Sequence, residues 1–325
     1  MRRWIAALAV VAALPTLGRA QDIAKEGVVW LLVPVGARSV GQGQAVSASR
    51  MGADGIWTNP ASMAWAKDRE FSFDHSQNIV VKSADALDFV FPAGRVGVLS
   101  ASVLFFNFGD QQATDVFGTT VGTIYAHNLV AALAYSATFG DRFSAGLTYK
   151  WAQQSQSCGG SCPGLDTYAV STSVFDFGVQ SVRGKNGEFR IGAVLRNIGF
   201  CAQVIDTEQC DPPPTRVHFS SEYRIDGLAK AVPGAALRIS AEAVTRLGLD
   251  NFSWRAGAEL SVASDHGFVR GGVLGGAESG DGSKATIGFG FRKGTLSFDF
   301  ARAFGGLSAD NGSPPTYITL RIGFK

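Results

Sequence analysis

Few side chains in this sequence are spaced for covalent or metal chemistry. The four histidines, His75, His127, His218 and His266, are scattered, with no H-E-x-x-H pair and no G-x-S-x-G nucleophile elbow, so neither a zinc centre nor an acyl-transfer serine is spelled out. His75 and His127 read as polar residues of a rim or lumen rather than as bases. The four cysteines stand as Cys158-Gly159-Gly160-Ser161-Cys162 and as Cys201 and Cys210, which bracket a polar segment before Pro212-Pro213-Pro214. A metal site would call for C-x2-C spacing with histidine nearby, and neither is present. In an exported chain the default is two local disulfides in external loops, Cys158 with Cys162 and Cys201 with Cys210, with cross-pairing as the open alternative. Gly41-Gln42-Gly43 begins like a dinucleotide fingerprint but lacks the third glycine and the βαβ setting. No catalytic residue, metal or cofactor is expected.

Charge is the remaining chemistry, and its placement follows a period of two. Lys150, Asp176, Arg190, Arg196, Glu222, Glu242, Arg255, Glu259, Asp299 and Arg321 fall mostly opposite a face carrying Trp151, Phe175, Phe177, Ile191, Leu195, Trp254, Leu260, Phe298 and Phe300. Arg224 and Arg246 follow the same rule. In a membrane strand a charge on the lipid face costs about 2–4 kcal/mol near the midplane, so these side chains belong inside a lumen. Both signs are interleaved, which favours a paired, filled interior over a wide selective pore.

The elements that would hold them are strands. From Val116 to Gly140 there is no charged side chain, yet Leu129, Ala131, Leu133, Tyr135, Ala137 and Phe139 alternate with smaller residues, which is strand rather than helix periodicity. Similar segments are expected at 70–78, 84–91, 96–108, 142–154, 166–180, 188–198, 216–225 and 235–246. Five more follow at 252–263, 267–274, 284–292, 295–303 and 316–324. That makes about fourteen antiparallel strands, joined alternately by short turns such as Lys293-Gly294 and by long Gly- and Ser-rich loops such as 275–283 and 305–315. A bilayer leaves no backbone amide unpaired, so such a sheet must close into a barrel.

The N-terminus and the composition fit export to an outer membrane. Arg2 and Arg3 precede an apolar run from Trp4 to Leu17, and Gly18-Arg19-Ala20 supplies small residues before a cut ahead of Gln21. Residues 1–20 therefore read as a cleaved signal peptide. The run is shorter than the roughly 20 residues of a membrane helix, and no cysteine stands at the cut. Cleavage removes three of the 29 basic residues and none of the 27 acidic ones, leaving 26 against 27 and no electrostatic case for nucleic acid. Glycine at 40 and phenylalanine at 23 residues are high and charge at 17% is low against the usual ~25%, as suits an extended sheet with an apolar exterior.

The run Gly36-Ala37-Arg38-Ser39-Val40-Gly41-Gln42-Gly43-Gln44-Ala45, followed by Asp54-Gly55-Ile56-Trp57-Thr58-Asn59-Pro60-Ala61, resembles the N-terminal signature of the PorV/PorQ family, within the wider family of FadL, the long-chain fatty acid transporter. Phe108-Gly109-Asp110, the stretch Asp141 to Lys150, Phe175 to Val179 and Ile191 to Gly199 are similar too. Ile318, Leu320, Ile322 and Phe324 resemble the terminal assembly signal of bacterial outer-membrane barrels. The resemblance implies an all-β, fourteen-stranded transmembrane barrel (67–325) with an N-terminal hatch or plug (21–66). Gly36, Arg38, Gly41, Gly43, Asn59, Pro60 and Ala61 make its motif. Gly36, Gly41 and Gly43 would allow tight turns, and Pro60 would bias Asn59 away from helix. Gln42 and Arg50-Met51 depart from the family pattern. Two functions are implied. One is cargo handling in type IX secretion, with a translocon and exported proteins as partners. The alternative is uptake of a hydrophobic small molecule. The mixed-charge lumen leans toward secretion.

Overall fold

The computed structural model describes residues 26–77, 81–162, 164–165, 167–202, 211–226, 232–249, 251–276, 284–305 and 314–324. The expected signal peptide and its cleavage point lie outside the described residues. Fourteen antiparallel strands close into one barrel in which each strand pairs with its sequence neighbours. They are β1 (Arg69–Gln77), β2 (Ser83–Pro92), β3 (Val98–Thr114), β4 (Thr120–Phe139), β5 (Phe143–Gly160), β6 (Tyr168–Arg183) and β7 (Phe189–Gly199), then β8 (Arg216–Ile225), β9 (Ala236–Arg246), β10 (Ser253–Val262), β11 (Gly267–Gly276), β12 (Ala285–Lys293), β13 (Leu296–Phe304) and β14 (Thr316–Phe324). The first and last strands zip the barrel shut in a register running from Arg69 opposite Phe324 to Gln77 opposite Thr316.

Alternation sets which face each residue takes. On β4, Val130, Ala132, Ala134 and Ser136 are buried while Leu133 is 63% exposed and Phe139 61% exposed. Around the outside Phe177, Ile191, Phe219, Ile239, Trp254, Ile287, Phe289 and Leu320 are likewise exposed. A continuous apolar exterior around a closed ladder is the signature of a membrane-spanning barrel.

Three strands run longer than alternation alone indicates. β3, β4 and β5 extend past Phe108, before Leu129 and past Gln154, with Asp110 opposite Tyr125 and Gly122 opposite Gly160. Their extra residues are polar or small, so the apolar period stops while backbone pairing carries on. Cys158 therefore sits on the end of β5 rather than in a loop, bonded to Cys162 just beyond it. The barrel has two unlike ends. The end carrying Arg69 and Phe324 has mostly short turns, such as 140–142 and 294–295, whereas the opposite end carries the long connections 200–215 and 305–315.

Residues 26–66 enter the lumen. They form five short helical turns, Val29–Leu32, α1 (Ala37–Gly41), Gly52–Asp54, α2 (Gly55–Thr58) and Pro60–Trp65. The filling is asymmetric. Trp30, Ile56, Trp57 and Met63 pack on Val90, Leu104, Phe106, Val130 and Val174 of β2 to β6. Most of the charged wall lies on β7 to β14, where the apolar contact is smaller: Ala37 and Val40 against Ala301, Ala303 and Tyr317.

Candidate functional site

The strand periodicity places all ten charged residues expected in the lumen on the inner wall, and most are tied to the N-terminal segment. Glu259 on β10 is fully buried and accepts from Arg38 Nε (3.2 Å), Gln42 Nε2 (3.2 Å), Arg238 Nη1 (3.0 Å) and Arg270 Nε (2.8 Å). Arg270 also reaches Asp299 at 2.6 Å. Arg321 on β14 binds Asp54 of the segment at 2.7 Å and Glu70 at 2.8 Å. Glu242 accepts from the Ser47 amide (2.9 Å), pairs with His218 Nδ1 (2.7 Å) and has Arg255 at 3.7 Å. Glu222 takes Ser49 Oγ and Arg190 Nη1, both at 2.5 Å. Lys150 is held by Asp176 (2.5 Å) and Asn197 (3.0 Å) and lies 5.8 Å from the Trp57 ring. Arg196 faces the main cavity. Burial opposes the Arg38 charge, but Glu259 and then Asp299 outweigh it and hold its pKa above the ordinary arginine value. These pairs act as latches, because removing one member strands a buried charge at a cost of about 3–5 kcal/mol.

The motif around Asn59 is a fitted joint. Asn59 is extended (φ −146°, ψ 111°), and Pro60, with its φ preset and no amide proton, starts the following turn. Asn59 Oδ1 accepts from the Ala61 amide at 3.0 Å, while Nδ2 donates to Ser47 O at 2.7 Å and to Val179 O at 3.3 Å. Ser144 Oγ donates to Ala61 O at 2.9 Å. The wall yields room here: a Cβ on Gly178 would overlap Asn59 Oδ1, and one on Gly146 would stand 2.5 Å from the Pro60 carbonyl carbon. Gly36 and Gly43 do take positive φ, +87° and +60°. Gly41 does not. It closes α1 and lies against Gly288 of β12, so it serves close approach rather than the tight turn expected of it.

Toward the long-loop end the lumen opens into a cavity of about 590 Å³. Its lining mixes apolar residues, Val29, Trp30, Val33 and Val35 of the segment and Phe108 of β3, with polar ones that include Asn128, Gln154, His218 and Arg255. Trp30 Nε1 donates to Gln154 Oε1 at 3.1 Å, so its ring is fixed in the wall. Beside Phe108 the β3–β4 ladder slips between Asn107 and Asp110, where Gly109 takes φ +79° and its amide donates to Asn107 Oδ1 at 2.8 Å. A bulge of this kind bends the strand and re-aims a side chain.

The buried carboxylates Asp54, Asp74 and Asp88 were not singled out from sequence, because they come from three separate elements. Each offers an oxygen within 4.8 Å of the others, the one such group among the described residues. Their oxygens accept from Arg321 and Thr319, and from Trp57 Nε1 (2.7 Å), Ser72 and Ser102, while Asp54 Oδ2 and Asp74 Oδ2 are buried with no hydrogen-bond partner. Parity held the signal: Ser72, Asp74 and Ser76 share one face. The histidines do not converge. His75 pairs with Asp85 at 2.6 Å, His127 stacks on Phe105 at 5.5 Å, and His266 lies in the turn after β10. Cys201 is disulfide-bonded; Cys210, its expected partner, lies outside the described residues.

No protein-family model and no curated protein matches the chain. Solved structures do. The toluene transporter TbuX of Ralstonia pickettii superposes with a TM-score of 0.61 at 13% identity, over 89% of this chain and 98% of that one. The P. putida toluene transporter TodX gives 0.58 at 10% identity, over 89% and 98%. The monoaromatic hydrocarbon channel CymD gives 0.57 at 12% identity, over 90% and 97%. At such identities the likeness establishes the fold alone, a closed fourteen-stranded antiparallel barrel.

Proposed function

We propose that this protein is an outer-membrane channel for a small hydrophobic molecule, of the hydrocarbon type that the similar structures carry, with residues 26–66 as its hatch. The observation behind this reading is the cavity of about 590 Å³ beside the β3–β4 bulge, with Trp30, Val33, Val35 and Phe108 in its lining. Ligand sites of this kind are concave, partly apolar and some 300–1,000 Å³ in volume. A molecule entering from the long-loop end meets this cavity before it meets the latched segment below. The link to type IX secretion rests on sequence resemblance and on the mixed-charge lumen, and none of the similar structures is a secretion protein by its description, so the small-molecule alternative becomes the main reading.

Trp30 reports directly on this proposal. Toluene titrated into the purified barrel should change tryptophan emission in a saturable way, and the Trp30→Phe variant should lose most of that change. Equal responses from the two proteins, or no saturation, would reject the cavity as the binding site.

A further inference from the structure

A second cavity, of about 340 Å³, lies at the other end of the lumen, where the short-turn ends of β7 to β14 meet the segment. Eight arginines and three carboxylates line it, and carboxylates just behind the lining neutralise three of the arginines: Glu222 on Arg190, Asp226 on Arg224 and Asp54 on Arg321. Many of these arginines have work elsewhere: Arg38, Arg238 and Arg270 share Glu259, and Arg321 holds Asp54. Latching explains those four, but it does not explain Arg50 or Arg292. Neither has a carboxylate within ion-pair distance among the described residues. Arg50 stacks on the Trp65 ring at 4.8 Å, and Arg292 stands 5.5 Å from the Phe268 ring and donates to Ser297 Oγ at 3.3 Å. Stacking fixes a guanidinium plane while leaving N–H edges open. Nearby, Arg190 has a buried Nε with no partner. Burial first and the Arg190 charge second pull the Arg50 pKa below the ordinary arginine value, as expected of crowded like charges.

We propose that this vestibule binds a small multivalent oxyanion, carrying phosphate or carboxylate groups, with Arg50 and Arg292 as the guanidiniums open to it. Guanidiniums suit this chemistry because their paired N–H groups match the oxygens of phosphate and carboxylate. The cavity of about 340 Å³ leaves room for an anion the size of pyrophosphate or citrate. The site stands apart from the apolar cavity and does not depend on the channel reading.

Calorimetry on the full, folded barrel tests it, with pyrophosphate, citrate and acetate as probes at low ionic strength. Pyrophosphate and citrate should bind saturably and acetate should not. Arg50→Gln with Arg292→Gln should weaken pyrophosphate binding at least tenfold, each single variant falling between. A control pair at the long-loop end, Lys284→Gln with Arg302→Gln, should bind as the parent does. Heat-modifiable mobility verifies that every variant is folded. The proposal is overturned if the parent protein shows no saturable heat, if the arginine variants bind as tightly as the parent, or if the control pair weakens binding equally.

Discussion

Replacing Asn59 by alanine isolates what holds the hatch. The side chain is fully buried and serves three partners: the Ala61 amide, Ser47 O and Val179 O. At roughly 0.5–1.5 kcal/mol net for each hydrogen bond, the loss is about 1.5–4.5 kcal/mol, and the orphaned Ala61 amide pushes it toward the upper end. Since 1.4 kcal/mol is a factor of ten, the population with the joint undocked should rise roughly ten- to a thousandfold. The barrel itself, closed by the β1–β14 ladder, keeps its strand pairing. Folded Asn59→Ala should therefore still show heat-modifiable mobility but pass more current in a planar bilayer than the parent. Asn59→Asp keeps the acceptor for Ala61 yet turns a carboxylate toward two carbonyl oxygens, so it should leak at least as much. Failure of the alanine variant to insert, or a conductance equal to the parent's, would refute the role of the joint.

Gly178→Ala places a Cβ into Asn59 Oδ1 and should raise conductance as Asn59→Ala does; because both act on one contact, the double variant should fall short of additive. Arg321→Met strands the buried Asp54 carboxylate and should lower unfolding free energy in urea by about 3–5 kcal/mol, measured by tryptophan emission in vesicles. Non-reducing peptide mapping should recover Cys158 linked to Cys162. Reduction should cost at most about 2 kcal/mol, since the closed loop is so short.

The barrel was legible because a membrane strand must alternate, and alternation survives in the sequence wherever lipid touches the wall. β8 and β14 begin and end where the pattern says. It failed at the tops of β3, β4 and β5, where pairing continues without an apolar face. Lumen charges such as Glu259 and Arg321 were found by parity, but their partners Arg270, Asp54 and Arg38 could not be, since the pairs join residues 11 to 267 apart in sequence. Gly178 and Gly146 carry no sequence mark of the joint they accommodate. The main cavity was invisible for the same reason: Trp30, Phe108 and His218 come from three elements, and only the path of residues 26–36 through the lumen leaves space between them.

Uptake decides the central claim most directly. Labelled toluene should enter cells whose outer membrane carries this barrel faster than cells carrying none, and Ala126→Trp, which fills the cavity next to the bulge, should return the rate to the background. Entry no faster than background with the parent barrel, or undiminished entry through the filled variant, would contradict the account.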